Sequence, residues 1–284
     1  MDPNVPFRDY ELYKRYQEGG QDPNFFKPPE DPDLFKPPPQ RADCPICMIV
    51  LPSDSYESMY YACCGNKICR GCDMECDEAL AATNRKNAGH RNPIMSRCPF
   101  CKTKAPTSNK MLLKQVNKRV DLNDANAMCI LGNHYKGGEC GMPRDDRKAF
   151  NLYVRAAELG FAEACSRLSQ FYRMGNNVVF EEEVMARKYL EMAAKGGDST
   201  ARHNLGVVEN EKGNYELAIK HWRLSAGAGD QDSLDCIKRG FQKGCVTKVE
   251  FAETLRAFQS SISEQKSDSR DKWLTANPNS GNHW

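Results

Sequence analysis

"AMCILGNHYKGG", residues 127–138, places Ala127, Leu131 and Tyr135 four positions apart. That spacing returns to one face of an α-helix, so the stretch predicts a helix with a single buried stripe. The pattern recurs as Ala164/Leu168/Tyr172, weakens to Ala201/Leu205 with Glu209 in the aromatic place, and ends as Ser233/Ile237/Phe241. Successive starts lie 37, 37 and 32 residues apart, a period that marks stacked helix pairs. Each unit has a second helical stretch: "KAFNLYVRAAELG" at 148–160, "MARKYLEMAAKGG" at 185–197 and "LAIKHWRLSAGAG" at 217–229. Small pairs such as Ala156/Ala157 and Ala193/Ala194 let neighbouring helices approach closely. The expected fold is mainly α, with a solenoid of helix pairs over residues 123–260, about three and a half repeats.

Working back from the first repeat, Leu112, Val116 and Val120 form another four-residue stripe, with Thr107 or Ser108 placed as a cap. Residues 107–122 therefore read as a bridging helix that seals the start of the solenoid. Before it, the texture changes. Cysteines cluster between Cys44 and Cys101 as Cys44-x2-Cys47, Cys63-Cys64, Cys69-x2-Cys72 and Cys98-x2-Cys101. A C-x2-C turn sets two thiolates at a bite that one tetrahedral zinc accepts, and four ligands complete a site. Eight thiolates make two sites, with His90 or Cys76 as substitutes for one of the adjacent pair. A segment of this size cannot bury a large core, so the metal is expected to hold the fold. The remaining cysteines read differently. Cys129, Cys165 and Cys236 fall in repeat helices as small apolar residues, and Cys140 and Cys245 fall in loops.

Leu-Gly-x-x-Tyr-x-x-Gly at Leu131–Gly138, with "RAAELG" downstream, resembles the Sel-one-like repeat, a relative of the tetratricopeptide repeat. The cysteine layout at 43–105 resembles an all-cysteine RING finger, which implies a short β hairpin plus a helix and two interleaved zinc ions. By that resemblance Cys44, Cys47, Cys69 and Cys72 hold one ion, and Cys63, Cys64, Cys98 and Cys101 hold the other. RING ligases act as scaffolds without a nucleophile of their own. They dock a ubiquitin-charged conjugating enzyme and position its thioester. The family's grip maps onto Ile46 between the first ligand pair, Pro99 and Phe100 between the last, and Lys102 just after it. Cys76 stands where many ligases have tryptophan or leucine. The resemblance thus implies a ubiquitin ligase, with a client or adaptor protein on the solenoid and no catalytic residue. The alternative is a non-catalytic interaction scaffold whose zinc module is structural.

The ends and the totals constrain these readings. Residues 1–42 contain Phe-Lys-Pro-Pro twice, at 26–29 and 35–38, and proline at this density predicts an extended, disordered tail. Residues 261–284 turn polar and are expected to fray. Forty basic against thirty-eight acidic side chains leave a net charge of +2, which gives no global case for nucleic-acid binding. In "NKMLLKQVNKR" the lysines interleave with an apolar stripe and lack aromatic platforms. No run reaches the roughly 18 apolar residues of a membrane helix. The start does not read as a secretory signal, and clustered thiols fit a reducing compartment, cytoplasmic or nuclear.

Overall fold

The computed structural model describes residues 32–52, 57–86 and 97–277. The chain divides into two units, residues 1–36 and 37–284. In the first, the described residues form one 3-10 turn at Pro32–Phe35. The first Phe-Lys-Pro-Pro copy lies outside the described residues. In the second unit, residues 37–42 have no regular structure, yet they are not free of the fold. Pro38 and Pro39 pack beside Gly197, within 3.6–4.0 Å of where a Cβ would stand.

The cysteine module contains a hairpin, β1 (Ser58–Tyr61) with β2 (Asn66–Cys69), antiparallel with Ser58 opposite Cys69 and Tyr61 opposite Asn66. Helix α1 (Arg70–Lys86) follows directly. The bridging helix α2 runs Asn109–Asp121, with the Ser108 hydroxyl accepting from Met111 N; Val116 and Val120 are buried.

Then come the pairs: α3 (Ala125–Gly137) with α4 (Asp146–Glu158), α5 (Ala162–Met174) with α6 (Glu183–Lys195), α7 (Ser199–Glu211) with α8 (Tyr215–Gly227), and α9 (Gln231–Gln242) with α10 (Lys248–Gln265). Three of the four leading helices start on an aspartate. Asp124, Asp198 and Asp230 accept from the backbone N–H of Ala127, Ala201 and Ser233, each satisfying a donor that the helix leaves unpaired. Ala127, Leu131, Ala164, Leu168, Tyr172, Ala201, Leu205, Ser233 and Ile237 are buried, whereas Tyr135 is half-buried and Phe241 is 38 % exposed, so the stripe faces the core except at the aromatic places of the first and last units.

Within pairs, bulk on one helix answers space on the other. A Cβ on Gly132 would lie 2.6 Å from the Tyr153 ring, and one on Gly206 would lie 2.5 Å from Trp222 Nε1. Glycine admits the aromatic ring in the first and third units. Thirty-seven residues after Gly132 and Tyr153 stand Ser169 and Leu190, both buried: the glycine is exchanged for a larger residue and the ring for a smaller one.

The third unit also explains the misfit at Glu209. Its carboxylate is 1 % exposed, 2.5 Å from Arg187 Nη2, and accepts from Asn214 Nδ2 at 2.7 Å. An ion pair thus replaces the aromatic ring. Burial opposes its ionisation, but the Asn214 bond and the Arg187 charge outweigh that and hold its pKa below the usual range.

The expected polar tail differs most from the structure. α10 continues to Gln265, and a further helix, α11 (Asp268–Ala276), starts on the Ser267 cap and packs on α1. A single buried residue, Arg270, anchors it, so polar composition concealed a docked helix.

The cysteine module consequently meets both ends of the solenoid. At the first end, Tyr60 Oη donates to Asp124 at 2.7 Å, Arg119 pairs with the same carboxylate at 2.6 Å, and the Arg119 guanidinium covers Gly65 in the hairpin turn. At the last end, α11 lies on α1. No described helix is long and apolar enough to cross a membrane.

Candidate metal centre

The two C-x2-C loops at 44–47 and 98–101 are built alike. Cys44 N donates to Ile49 O at 2.8 Å, as Cys98 N does to Thr103 O at 2.9 Å. Met48 N returns to Cys44 O, as Lys102 N returns to Cys98 O. The residue after each second cysteine has positive φ, +57° at Met48 and +59° at Lys102. A backbone bridge closes each loop, Asp43 with Val50 and Arg97 with Lys104. Both loops therefore point two sulfurs the same way.

Each loop meets a second pair. Cys44, Cys47, Cys69 and Cys72 converge, as do Cys63, Cys64, Cys98 and Cys101; within each set the sulfurs lie within 4.8 Å of one another. Zinc–sulfur bonds of about 2.3 Å put tetrahedral ligands about 3.8 Å apart. Cys47 to Cys69 is 4.0 Å, Cys64 to Cys98 is 3.6 Å and Cys63 to Cys101 is 3.5 Å. The donor sets fit a thiophilic tetrahedral ion. The adjacent Cys63 and Cys64 share one set because the chain turns at once: Cys64 N and Gly65 N both donate to Tyr61 O, and Gly65 has φ +82°. Cys76 joins neither set, and His90 lies outside the described residues.

Asn66 has a supporting role. Its Nδ2 donates to Cys64 Sγ at 3.3 Å. Across the same tetrad, Cys101 Sγ bonds Thr103 Oγ1 at 3.2 Å. That bond is the main reason the Cys101 thiol is lowered to about 6. In the first tetrad, burial raises Cys44, but N–H groups of Cys47, Cys69 and Ile46 outweigh it and bring the thiol to about 7. Burial and neighbouring sulfurs push Cys63 and Cys72 upward. Thiols crowded at this distance cannot all ionise without a cation among them.

The tetrads also supply most of the local core. Cys44, Cys69 and Cys72 pack with Leu51 and Ile68, flanked by Met59, Tyr61 and Phe100. Phe100 meets Tyr61 edge-on with ring centroids 6.2 Å apart, so this residue, expected to dock a partner, is in part a core residue. Ile46 is 40 % exposed and Met48 72 %. Pro99 is half-buried, and Lys102 is exposed with Nζ donating to Pro99 O at 2.7 Å. Sequence reasoning missed Met48, whose apolar side chain faces solvent beside Ile46; its place next to a C-x2-C pair was the available signal.

Comparisons with known proteins bear on the helical part. Residues 125–161, 162–198 and 199–230 match the Sel1 repeat. The chain is 26 % identical over 132 residues to chitin synthase regulatory factor 4 of Schizosaccharomyces pombe, 46 % of this chain and 21 % of that protein. It is 37 % identical over 57 residues to chitin synthase regulator SKT5 of Saccharomyces cerevisiae, 20 % of this chain and 8 % of that protein. The matches thus span about a fifth or less of these relatives' length. Among solved structures, a Sel1 repeat protein from Oxalobacter formigenes aligns with TM-score 0.46 and 26 % identity, over 55 % of this chain and 64 % of that one. The antigen c5321 of uropathogenic Escherichia coli aligns with TM-score 0.44 and 26 % identity, over 60 % and 36 %. Residues 125–230 of this chain are three Sel1 repeats, and the helical part is a Sel1 solenoid.

Proposed function

We propose that this protein is an interaction scaffold: two zinc ions organise the cysteine module, and the solenoid holds a protein client. The observation that carries this reading is the seating of the cysteine module against both ends of the solenoid, which joins two partner surfaces in one compact unit. One surface is the pair Ile46 and Met48, apolar and exposed on a loop fixed by the first tetrad. The other is the concavity between α7 and α9 lined by His203, Val207, Asp235, Cys236, Arg239 and Gln242. The two curated relatives are by name regulators of an enzyme, which fits a client that is itself an enzyme or its adaptor. A reducing compartment, cytoplasmic or nuclear, keeps the thiols available to metal.

A second reading, a RING-type ubiquitin ligase, draws on one specific observation. Ile46 is exposed on the first loop, while Pro99 and Lys102 occupy a second loop of the same build. In that reading Ile46, Pro99 and part of Phe100 dock the conjugating enzyme, and Lys102 contacts its ubiquitin. Ubiquitin discharge from a panel of charged conjugating enzymes onto free lysine separates the two. The scaffold reading expects no acceleration by protein carrying two zincs. Acceleration by wild type that Ile46→Ala abolishes, with both metals retained and stability within about 0.5 kcal/mol, establishes the ligase instead.

A further inference from the structure

The first tetrad has a neighbour from the far end of the chain. α11 crosses α1 at Gly71, where a Cβ would lie 2.4 Å from the Ser269 carbonyl carbon and 2.5 Å from Arg270 N. Only glycine permits that approach. It delivers Arg270 to the metal loop. The side chain is 5 % exposed; Nη2 donates to Ile49 O at 3.2 Å and lies 3.9 Å from Cys47 Sγ, while Nη1 donates to Gln265 O at 2.5 Å.

Charge is the unexplained part. Among the described residues no carboxylate lies within ion-pair distance of Arg270, and its Nε is buried without a partner. Arg41 faces the same region, with a buried Nη1 that also lacks one. Burial lowers the Arg41 pKa, Glu264 opposes that, and Arg270 adds to it. A buried guanidinium without a counter-charge, as at Arg270, is costly. Four thiolates around one divalent ion make a dianion, which supplies that counter-charge. Among the described residues the second tetrad has no equivalent. Its sulfurs are supported by the neutral Asn66 and Thr103, and Arg119 nearby is already paired with Asp124.

We infer that Arg270 is an outer-sphere cation for the metal held by Cys44, Cys47, Cys69 and Cys72, making the C-terminal helix part of that centre. The inference rests on the tetrads holding metal, and its function is positioning: the guanidinium offsets thiolate charge and fixes the loop through Ile49 O. Removal of such a partner typically weakens metal affinity by about 10- to 100-fold.

The test uses the full chain loaded with zinc, and reads transfer of zinc to a chromogenic chelator. In Arg270→Met one of two equivalents should leave at least about tenfold faster while the other keeps its wild-type rate. Arg270→Lys should restore most of the difference. Cobalt substitution, read by its thiolate charge-transfer bands, reports whether four sulfurs still bind. Wild type holding fewer than two equivalents overturns the metal reading itself. Two equivalents with unchanged release in Arg270→Met overturn the inference about Arg270 alone. Acceleration of both equivalents, or acceleration that lysine does not restore, means general loosening and also overturns it. If Arg270→Met fails to fold, Arg270→Lys against Arg270→Gln decides, because the two differ in charge.

Discussion

The solenoid and the cysteine module solve the same problem by different means. The solenoid buries alanine, leucine and aromatic side chains unit after unit, and each pair shields the next. In the module, three of the five buried core residues are cysteines. One region is held by apolar area, the other gathers two cysteine tetrads whose donor sets fit metal ions. A chain can therefore carry a small module of little intrinsic stability if a larger neighbour fixes its edges and a metal fills its centre.

Metal removal tests this difference most strongly. Each structural zinc contributes on the order of 10 kcal/mol of apparent binding energy, so chelation should abolish the near-ultraviolet signal of Tyr60, Tyr61 and Phe100 while most far-ultraviolet helical signal survives. Loss of both together would mean the solenoid does not stand without the module. The converse change is Leu168→Ala, in a residue 0 % exposed. It should cost about 3 kcal/mol in denaturant unfolding and leave two zinc equivalents bound.

Acid offers a subtler separation. Burial, reinforced by Arg202 and Arg187 and opposed by Glu209, holds His221 at about 4 instead of 6.5. Below pH 6.5 the unfolded chain takes up a proton that the folded chain refuses, so stability falls as pH drops toward 4. Thiol protonation acts in both wild type and His221→Gln; the variant should therefore show a flatter decline of melting temperature over that window. Equal declines would place the acid sensitivity elsewhere than His221, in the tetrads or in carboxylates such as Glu209 whose pKa is held low. The smallest effect is expected for Gly206→Ala, which pushes a methyl group into Trp222 at a cost of about 1–3 kcal/mol, measured by thermal melting with metal content unchanged.

How much the sequence disclosed follows the same division. The stripe through Ala127, Leu131, Ala164 and Leu168 was legible because each residue repeats one task at one period. Glu209 looked like decay of that period; its partner Arg187 comes from the preceding unit, and a charge pair has no periodic trace. The eight cysteines stood out by spacing, while the role of Asn66 as a donor to Cys64 needed coordinates. Least legible was α11. Its one buried side chain, Arg270, meets Cys47 across 223 positions of chain, and nothing in a polar stretch announces a contact at that distance.

Contact of the module with both solenoid ends has a consequence for how such a protein can vary. An open array gains or loses a unit with a change in length and little else. Here Tyr60 and Gly65 hold one end while Gly71 holds the other, so the number of units must span a fixed gap. Deleting one helix pair would leave one of the two seams unmade, and adding one would overshoot it. The module's two seams thus tie the count of units to a block of about sixty residues that lies outside the array.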